Sequence, residues 1–176
     1  ANNDIVQSAG SILANGQDAQ GFGLNINSES GNIIISDATT TNGGVKIIAN
    51  EKVVDDVAIS GDIKITNLQS TGGAIEIESN GTDKDVILSG NLNSTDSDIE
   101  ITTQGNILQT TSNTSITTAS NVVLDAQGSV GSDSNSIIID ADGSVKVDAD
   151  DVYLSSKNKD LTIAGINSSK LTSDGE

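Results

Sequence analysis

The sequence predicts an all-β protein in which short strands wind into a parallel β-solenoid, or β-helix, with coils of about twenty residues and variable loops. Bursts of Ile and Val alternate with short runs of Asp, Ala, Gly and Ser, most clearly in SIIIDADGSVKVDADDVYLSS (136–156). Each burst is too short to stand alone as a strand, and each separator is too short to contain a helix. Between these bursts we find none of the two-residue hairpin loops that would fold one strand back on the last in a regular β-meander. The chain is therefore expected to wind rather than fold back.

The composition favours a narrow, regular core. The 176 residues include one Phe, one Tyr and no Trp, Met, Cys, Pro or His, and 34% of them are hydrophobic. Ile, Val, Leu and Ala supply nearly all of that fraction, and β-branched side chains stack well on copies of themselves. Phe22 is expected to plug an end or a wide spot in the core, and Tyr153 to point outward or cover a coil end.

The first thirty residues carry partial signals and predict irregular early coils. From residue 31 the pattern is firm, and a Gly or polar turn pair is followed by an apolar-polar-apolar triplet. The predicted strand segments are 31–36, 43–49, 53–60, 61–66, 72–78, 84–90, 97–102, 105–110, 114–118, 121–126, 136–141, 143–149, 151–156 and 159–165. In Ile63-Lys64-Ile65 the period-two geometry of a strand sends the lysine outward and both isoleucines inward.

The segments predict one domain. Residues 1–165 form a single β-helix, residues 1–30 are its less regular first coils, and residues 166–176 are a C-terminal tail or the start of the next coil. Two or three strands per coil give eight or nine coils and a rod roughly 40 Å long. A β-sandwich and a disordered acidic chain are the competing interpretations. The regular recurrence of apolar pairs favours the solenoid over both.

The charge excludes some partners. The eight basic residues are all Lys, and 25 acidic residues give a formal net charge of −17. Nucleic acids and anionic membrane surfaces require clustered basic residues, so neither is an expected partner. The sequence contains no apolar run long enough to insert into a membrane. No signal peptide is visible either, so an exported protein would be represented in its processed form or as an excised piece.

The residue types argue against catalysis, so we expect the protein not to be an enzyme. Without His and Arg, the chain has neither a Ser-His-Asp set nor the usual groups of β-helix lyases and glycosidases. A carbohydrate-active hydrolase that needs only two carboxylates remains open. Sugar-binding clefts usually add aromatic platforms, and Tyr153 is the one residue that could supply such a platform.

An acidic group near the carboxyl end is the best candidate for a metal site. Asp140, Asp142, Asp148 and Asp150 are weak candidates for calcium ligands, with Asp125 and Asp151 nearby in the sequence. Matching turns of adjacent coils would stack these carboxylates, and a shared Ca²⁺ would relieve their repulsion. The alternative is that they are turn residues that accept hydrogen bonds from their own backbone, and no cofactor is then required.

Several runs resemble the repeat region of filamentous-haemagglutinin-like exoproteins, the adhesins exported by two-partner secretion. They lie between Gly31 and Gly165, and they are GNIIIS, GGVKIIA, GGAIEIE, GNILQT, NVVLDAQGSVGS and DVYLSSKNKDLTIAG. The resemblance implies a right-handed parallel β-helix that forms a fibrous stalk, is secreted, and is displayed at the cell surface. The chain lacks the proline-containing motifs of that family's secretion domain, so it would be a segment of the shaft.

The expected function is therefore a structural or adhesive shaft segment of a secreted bacterial surface protein that serves cell adhesion, aggregation or biofilm formation. Its partner would be a receptor or glycan of a host or bacterial surface, bound through neighbouring regions. A self-assembling extracellular filament subunit, which would associate end to end, is the alternative. A carbohydrate-active β-helix enzyme is the third hypothesis.

Overall fold

The computed structural model describes residues 4–158 and 160–174, and every regular element in these ranges is a β-strand. The twenty strands are β1 (Ile5–Val6), β2 (Ile12–Ala14), β3 (Phe22–Ser28), β4 (Ile33–Thr40), β5 (Gly44–Ala49), β6 (Lys52–Val54), β7 (Val57–Ile59), β8 (Ile63–Ser70), β9 (Ile75–Ser79), β10 (Val86–Leu88), β11 (Leu92–Ser94), β12 (Ile99–Thr103), β13 (Ile107–Gln109), β14 (Ile116–Thr118), β15 (Val122–Ala126), β16 (Ile137–Ala141), β17 (Ser144–Asp148), β18 (Asp151–Ser156), β19 (Thr162–Asn167) and β20 (Lys170–Asp174). The prediction of an all-β fold is confirmed.

Eighteen of the strands form two long parallel sheets. The larger, eleven-stranded sheet has the main order β1-β4-β8-β11-β14-β16-β18-β20, and the seven-stranded sheet has the order β19-β17-β15-β12-β9-β5-β3. From β3 onward, apart from β6 and β7, the chain passes back and forth between the two sheets. Each new strand is added beside a strand of an earlier coil in the same sheet, and β10 and β11 both pair with the long strand β8. This winding of parallel strands is consistent with a β-helix.

The core consists of apolar rows that run across the strands. In the seven-stranded sheet, in-register pairing places five fully buried side chains in one row: Val45, Ile75, Ile99, Val122 and Val145. The alternate residues of the same strands face outward. A row of this kind fills space with one repeated shape, so the core needs no aromatic side chain to close gaps.

The interval between paired residues shortens along the chain. The hydrogen bond from Asp62 to Asn32 spans 30 residues, and the bond from Ser144 to Asn121 spans 23. Near the carboxyl end, Asn158 reaches Asp140 across 18 residues. The predicted repeat of about twenty residues with variable loops therefore agrees with the later part of the chain, whereas the earlier intervals are longer.

Buried Ser and Thr side chains occupy the last, inward-facing position of several strands of the larger sheet, just before the chain turns toward the other sheet. Ser70 donates its hydroxyl hydrogen bond to the Gly73 carbonyl oxygen at 2.6 Å, and Thr118 donates to the Ser97 carbonyl oxygen at 2.6 Å. Both hydroxyl residues are buried. These bonds give the Gly73 and Ser97 carbonyls a hydrogen-bond partner at the turn that follows each strand.

The segment 53–60 departs from the winding pattern, and its assignment to a coil strand was wrong. Strands β6 and β7 form an antiparallel hairpin joined by Asp55 and Asp56. Both turn residues have positive φ, 51° and 62°, which is the conformation of a type I′ turn. Aspartate tolerates this left-handed region better than most residues do. The sequence VVDDV therefore folds back, and the expectation that no two-residue hairpin interrupts the chain fails here.

Neither aromatic side chain lies among the buried residues of the apolar core. Phe22 is half-buried, and the Lys46 ammonium nitrogen lies 5.3 Å from its ring centre. Phe22 therefore does not fill a wide spot within the core, but it begins β3, the terminal strand of the seven-stranded sheet. Tyr153 alternates with the inward-facing Val152 and Leu154 and is buried beside Gly131.

The two ends of the chain also contain sheet strands. In the first thirty residues β1 and β2 pair with β4, and β3 pairs with β5. In the segment predicted as a tail or as the start of the next coil, β20 pairs with β18. Strand β11, which no predicted segment covers, pairs with the second half of β8.

Candidate functional site

A ladder of Asp, Asn and Ser side chains runs along one corner of the larger sheet. Each member stands directly before an inward-facing apolar residue, and its side-chain oxygen accepts a hydrogen bond from the backbone N–H of the next member. The strand-entry ladder consists of Asp4, Asn32, Asp62, Asp85, Asn106 and Ser129, and its five N···O distances range from 2.7 to 3.2 Å. From Asp4 to Ser129, neighbouring coils are thus joined by side-chain hydrogen bonds in addition to the backbone bonds of the sheet.

Two shorter ladders repeat the arrangement at the other strand entries. In the first, the Asn91 N–H donates to Asn67 Oδ1, and the Ser115 N–H donates to Asn91 Oδ1. In the second, Asp98 Oδ1 accepts hydrogen bonds from the Asn121 backbone and side chain. The next N–H in that second ladder, from Ser144, donates to Asn121 Oδ1 at 2.9 Å.

The ladder lowers the pKa of Asp98. The hydroxyl of Ser120 contributes most, because it donates a hydrogen bond to the charged carboxylate, and the backbone N–H of Asn121 contributes next. Both bonds favour the ionised form over the neutral form. Because the Asp98 side chain is exposed, water screens much of this effect.

A fourth ladder consists of carboxamides. Asn50 Nδ2 donates to Asn27 Oδ1 at 2.9 Å, and Asn80 Nδ2 donates to Asn50 Oδ1 at 3.1 Å. Each amide therefore bonds to the amide on the adjacent strand, as in stacked parallel sheets. The sequence does contain the signal for the strand-entry ladders, since Asp, Asn or Ser recurs directly before the apolar triplets in GNI, GDI, KDV and GSV.

The structure does not bring the four calcium candidates together. Asp140 lies in β16 of the larger sheet and accepts a hydrogen bond from Asn158 Nδ2 at 2.7 Å, and the exposed Asp142 follows that strand. Asp148 ends β17 of the other sheet and accepts a bond from Asn167 Nδ2, while Asp150 lies in the following turn. Within residues 4–158 and 160–174, no three acidic side chains are grouped as metal ligands.

Asp140 and Asp142 border a shallow groove on the outer face of the larger sheet. Its volume is about 290 Å³, and β11, β14 and β16 supply its floor. The side chains at its surface are hydroxyls, amides and carboxylates, including Asn93, Thr95 and Thr117. The groove is open to solvent and has no aromatic lining residue, so nothing in it would stack against a sugar ring.

The outer face of the seven-stranded sheet carries rows of charge. Lys46 Nζ lies 2.6 Å from Glu76 Oε2 on the neighbouring strand, and in-register pairing places Glu76 beside Glu100. The hydrogen bond and charge of Glu76 hold the pKa of Lys46 above its ordinary value, although partial burial opposes the shift. Both partners are partly exposed, so the pair contributes at most about 1 kcal/mol to stability.

Near the carboxyl end, a lysine covers the tyrosine. Lys170 Nζ lies 2.8 Å from Tyr153 Oη, 4.8 Å from the ring centre and 3.6 Å from Asp133 Oδ1. The Tyr153 hydroxyl is therefore already bonded within the chain. Lys170 thus joins Tyr153 to Asp133, and Tyr153, which is 6% exposed, presents no aromatic surface to a ligand.

The features above are ladders, rows and one open groove, and none is an assembled catalytic or metal centre. Comparison of the chain with protein-family models, curated proteins and solved structures finds no match. The described residues include no helix that is both long and apolar enough to cross a bilayer. The candidate site is therefore the ladder system itself, and what it can do is hold successive coils together.

Proposed function

We propose that the chain is a structural or adhesive shaft segment of a secreted bacterial surface protein, with a right-handed parallel β-helix as its architecture. The observation that carries the proposal is the continuity of the strand-entry ladder and the apolar rows from coil to coil. A shaft must transmit position and load along its length, and a stack of coils does so when every level is bonded to the next.

The geometry supplies three parallel connections between levels. Backbone hydrogen bonds join the strands of both sheets, side-chain ladders join the strand entries, and buried Ile and Val rows exclude water from the interior. Separating two coils would break all three connections at once. At a strand spacing of about 4.8 Å, the seven-stranded sheet extends roughly 30 Å along the shaft.

The right-handed closure follows from a general preference of β-proteins. Connections between parallel strands of one sheet are right-handed in about 98% of cases, because a twisted strand returns to its sheet most easily that way. The chain repeatedly connects parallel strands of one sheet as it passes between the two sheets, and this preference supports a right-handed helix. If all of these connections have the same handedness, the buried apolar residues of successive coils stay in register.

Cell-surface display would be tested on the cell that produces the protein. An antibody against the chain, or brief protease treatment of intact cells, should reach it without lysis. Protection of the chain until the cells are lysed would contradict the proposal. The parent reading frame gives a second test, since a proline-containing secretion motif near its start is expected and a cytoplasmic enzyme domain fused to the chain is not.

A self-assembling filament subunit is the second candidate, because stacked parallel strands can be extended by strands of another molecule. Among the described strands, β19 and β20 are terminal in their sheets, and β3 and β1 are terminal at the other end. Light scattering after size exclusion separates the two functions, because a shaft segment stays monomeric as concentration rises, whereas a filament subunit grows with concentration.

A further inference from the structure

The β6–β7 hairpin is an insertion that the coils do not require. It lies between β5 and β8, where the interval between paired residues is 30, whereas later coils are completed within 23 residues without it. Within the described ranges, β6 and β7 pair with each other and with no other strand. The hairpin therefore adds an exposed element to a stack that is continuous beneath it.

The hairpin exposes apolar side chains on both of its faces. Val54 and Val57 are cross-strand neighbours on one face, and 41% and 61% of their surfaces are exposed. Val53 lies on the opposite face and is 64% exposed. Three of the seven large hydrophobic residues that are exposed in the described part of the chain thus lie within five positions of each other. Exposed apolar clusters on otherwise polar surfaces commonly mark sites of interaction.

The edges of the hairpin favour an extended peptide as the occupant. In a hairpin with a two-residue turn, the closing pair Val54–Val57 exchanges backbone hydrogen bonds, and the next pair, Val53–Ala58, does not. The backbone N–H and C=O groups of Val53 and Ala58 therefore point away from the hairpin, one set at each edge. A strand added beside either edge would satisfy them.

The charges around the hairpin favour a basic occupant. Asp55 and Asp56 form its tip, and Glu51 at its base accepts a hydrogen bond from the Thr82 backbone N–H. The nearby cation, Lys52, is already paired with Glu29 at 3.8 Å. Carboxylates therefore stand at both ends of the apolar segment, and at this hairpin a basic segment is a better match than a second copy of the acidic chain.

We propose that the β6–β7 hairpin is a docking element that binds an extended, basic segment of a partner protein by strand addition. Apolar side chains of that segment pack on Val54 and Val57, and its Lys or Arg residues face Asp55 and Asp56. This inference goes beyond the shaft function and does not depend on it. Either proposal can fail while the other holds.

The test uses synthetic peptides as probes. A seven-residue peptide of alternating Lys and Val is compared with its Glu–Val counterpart, and binding is followed by calorimetry and by amide hydrogen exchange. The Lys–Val peptide should bind, and it should slow exchange at the Val53 or Ala58 amide by about tenfold or more. The Glu–Val peptide should not bind.

Matched variants separate strand addition from general attraction to an acidic rod. Val57→Ser, and a variant in which residues 52–59 are replaced by a two-glycine turn, should each weaken Lys–Val binding by about tenfold or more. Leu13→Ser alters a residue that is 62% exposed elsewhere and should not change binding. Circular dichroism establishes that each variant is folded, and Val57→Ser keeps the test valid if the shortened chain does not fold.

Several results would overturn the proposal. These are equal binding of the Lys–Val peptide to the shortened variant, equal binding of the Glu–Val peptide, absence of binding, or protection that appears at amides outside the hairpin. A concentration-dependent dimer that is lost in the shortened variant would also overturn it, because the occupant would then be a second copy.

Discussion

Replacing Asn106 with alanine tests whether the strand-entry ladder holds the coils together. Asn106 Oδ1 accepts the Ser129 N–H at 2.8 Å, and Asn106 Nδ2 donates to Asp85 Oδ1 at 2.9 Å. The substitution removes both side-chain bonds and leaves the backbone bond from Asn106 to Asp85 in place. At about 1 kcal/mol per bond, and somewhat more for the bond to a carboxylate, the free energy of unfolding should fall by about 2–3 kcal/mol.

The assay combines urea unfolding, followed by circular dichroism, with amide hydrogen exchange at Ser129. The exchange should accelerate by about 30-fold for a loss of about 2 kcal/mol, because each 1.4 kcal/mol corresponds to a factor of ten. Asn113→Ala is the matched control. Asn113 is an exposed turn residue for which the described structure shows no side-chain bond, and its substitution should change stability by less than about 0.5 kcal/mol.

The variant Asn106→Asp separates the two bonds. It keeps an acceptor for the Ser129 N–H but loses the donor to Asp85 and places a second carboxylate beside it. Its stability should lie below that of the wild type and should recover as salt screens the repulsion. If Asn106→Ala unfolds within about 0.5 kcal/mol of the wild type and the Ser129 amide remains equally protected, the ladder does not stabilise the stack.

Three further outcomes are expected. Gly90→Ala should lower the free energy of unfolding, measured in urea, by about 2 kcal/mol or more, because the added methyl group would overlap the Thr66 carbonyl. Gly16→Ala is the control and should be nearly neutral, because its methyl group would enter open space. Equal destabilisation by the two substitutions would contradict this argument. The folded-state pKa of Asp98 is lowered, so its contribution to stability is present above its ordinary pKa of 3.8 and is lost as the pH falls through the lower folded value. Carbon NMR titration of Ser120→Ala should show the Asp98 pKa moving back up toward 3.8, and an unchanged pKa would show that the hydroxyl is not the main cause. Calcium should raise the unfolding temperature no more than magnesium at equal ionic strength, because the four candidate aspartates do not converge, and a rise specific to calcium would contradict this.

The winding of the chain was predictable because its cause is local. The triplet Ile99-Glu100-Ile101 is followed 23 positions later by the matching Val122-Val123-Leu124, and the period of two sends the outer members of both triplets into one core. Register then follows, since a shift by one residue would bury Glu100 and expose Ile99. The abundance of Asn, Ser and Thr also indicates polar ladders between coils, and the strand-entry ladder is built at the polar residue before each triplet.

The β6–β7 hairpin was not predicted because its sequence is compatible with two different structures. The segment VVDDVAIS has the alternation of a coil strand, and it also has the two central aspartates that a type I′ turn accepts. Local preferences do not distinguish these outcomes. The choice depends on whether the segment can pair with a neighbouring coil and turn its apolar residues into the core. Val45 of β5 already pairs with Ile75 of β9, so the two coils are in contact without the segment between them.

The sequence by itself determined the all-β class, the inward and outward faces of the strands and the approximate repeat, because the period of two, the scarcity of aromatic residues and the absence of proline act residue by residue. Only the tertiary structure decided which carboxylates meet. Asp140 and Asp148 are eight positions apart in the chain yet belong to different sheets, whereas Asp62 and Asp85 are distant in sequence and adjacent in the ladder. Spacing along a strand is local, but contact between coils depends on the length of every loop between them.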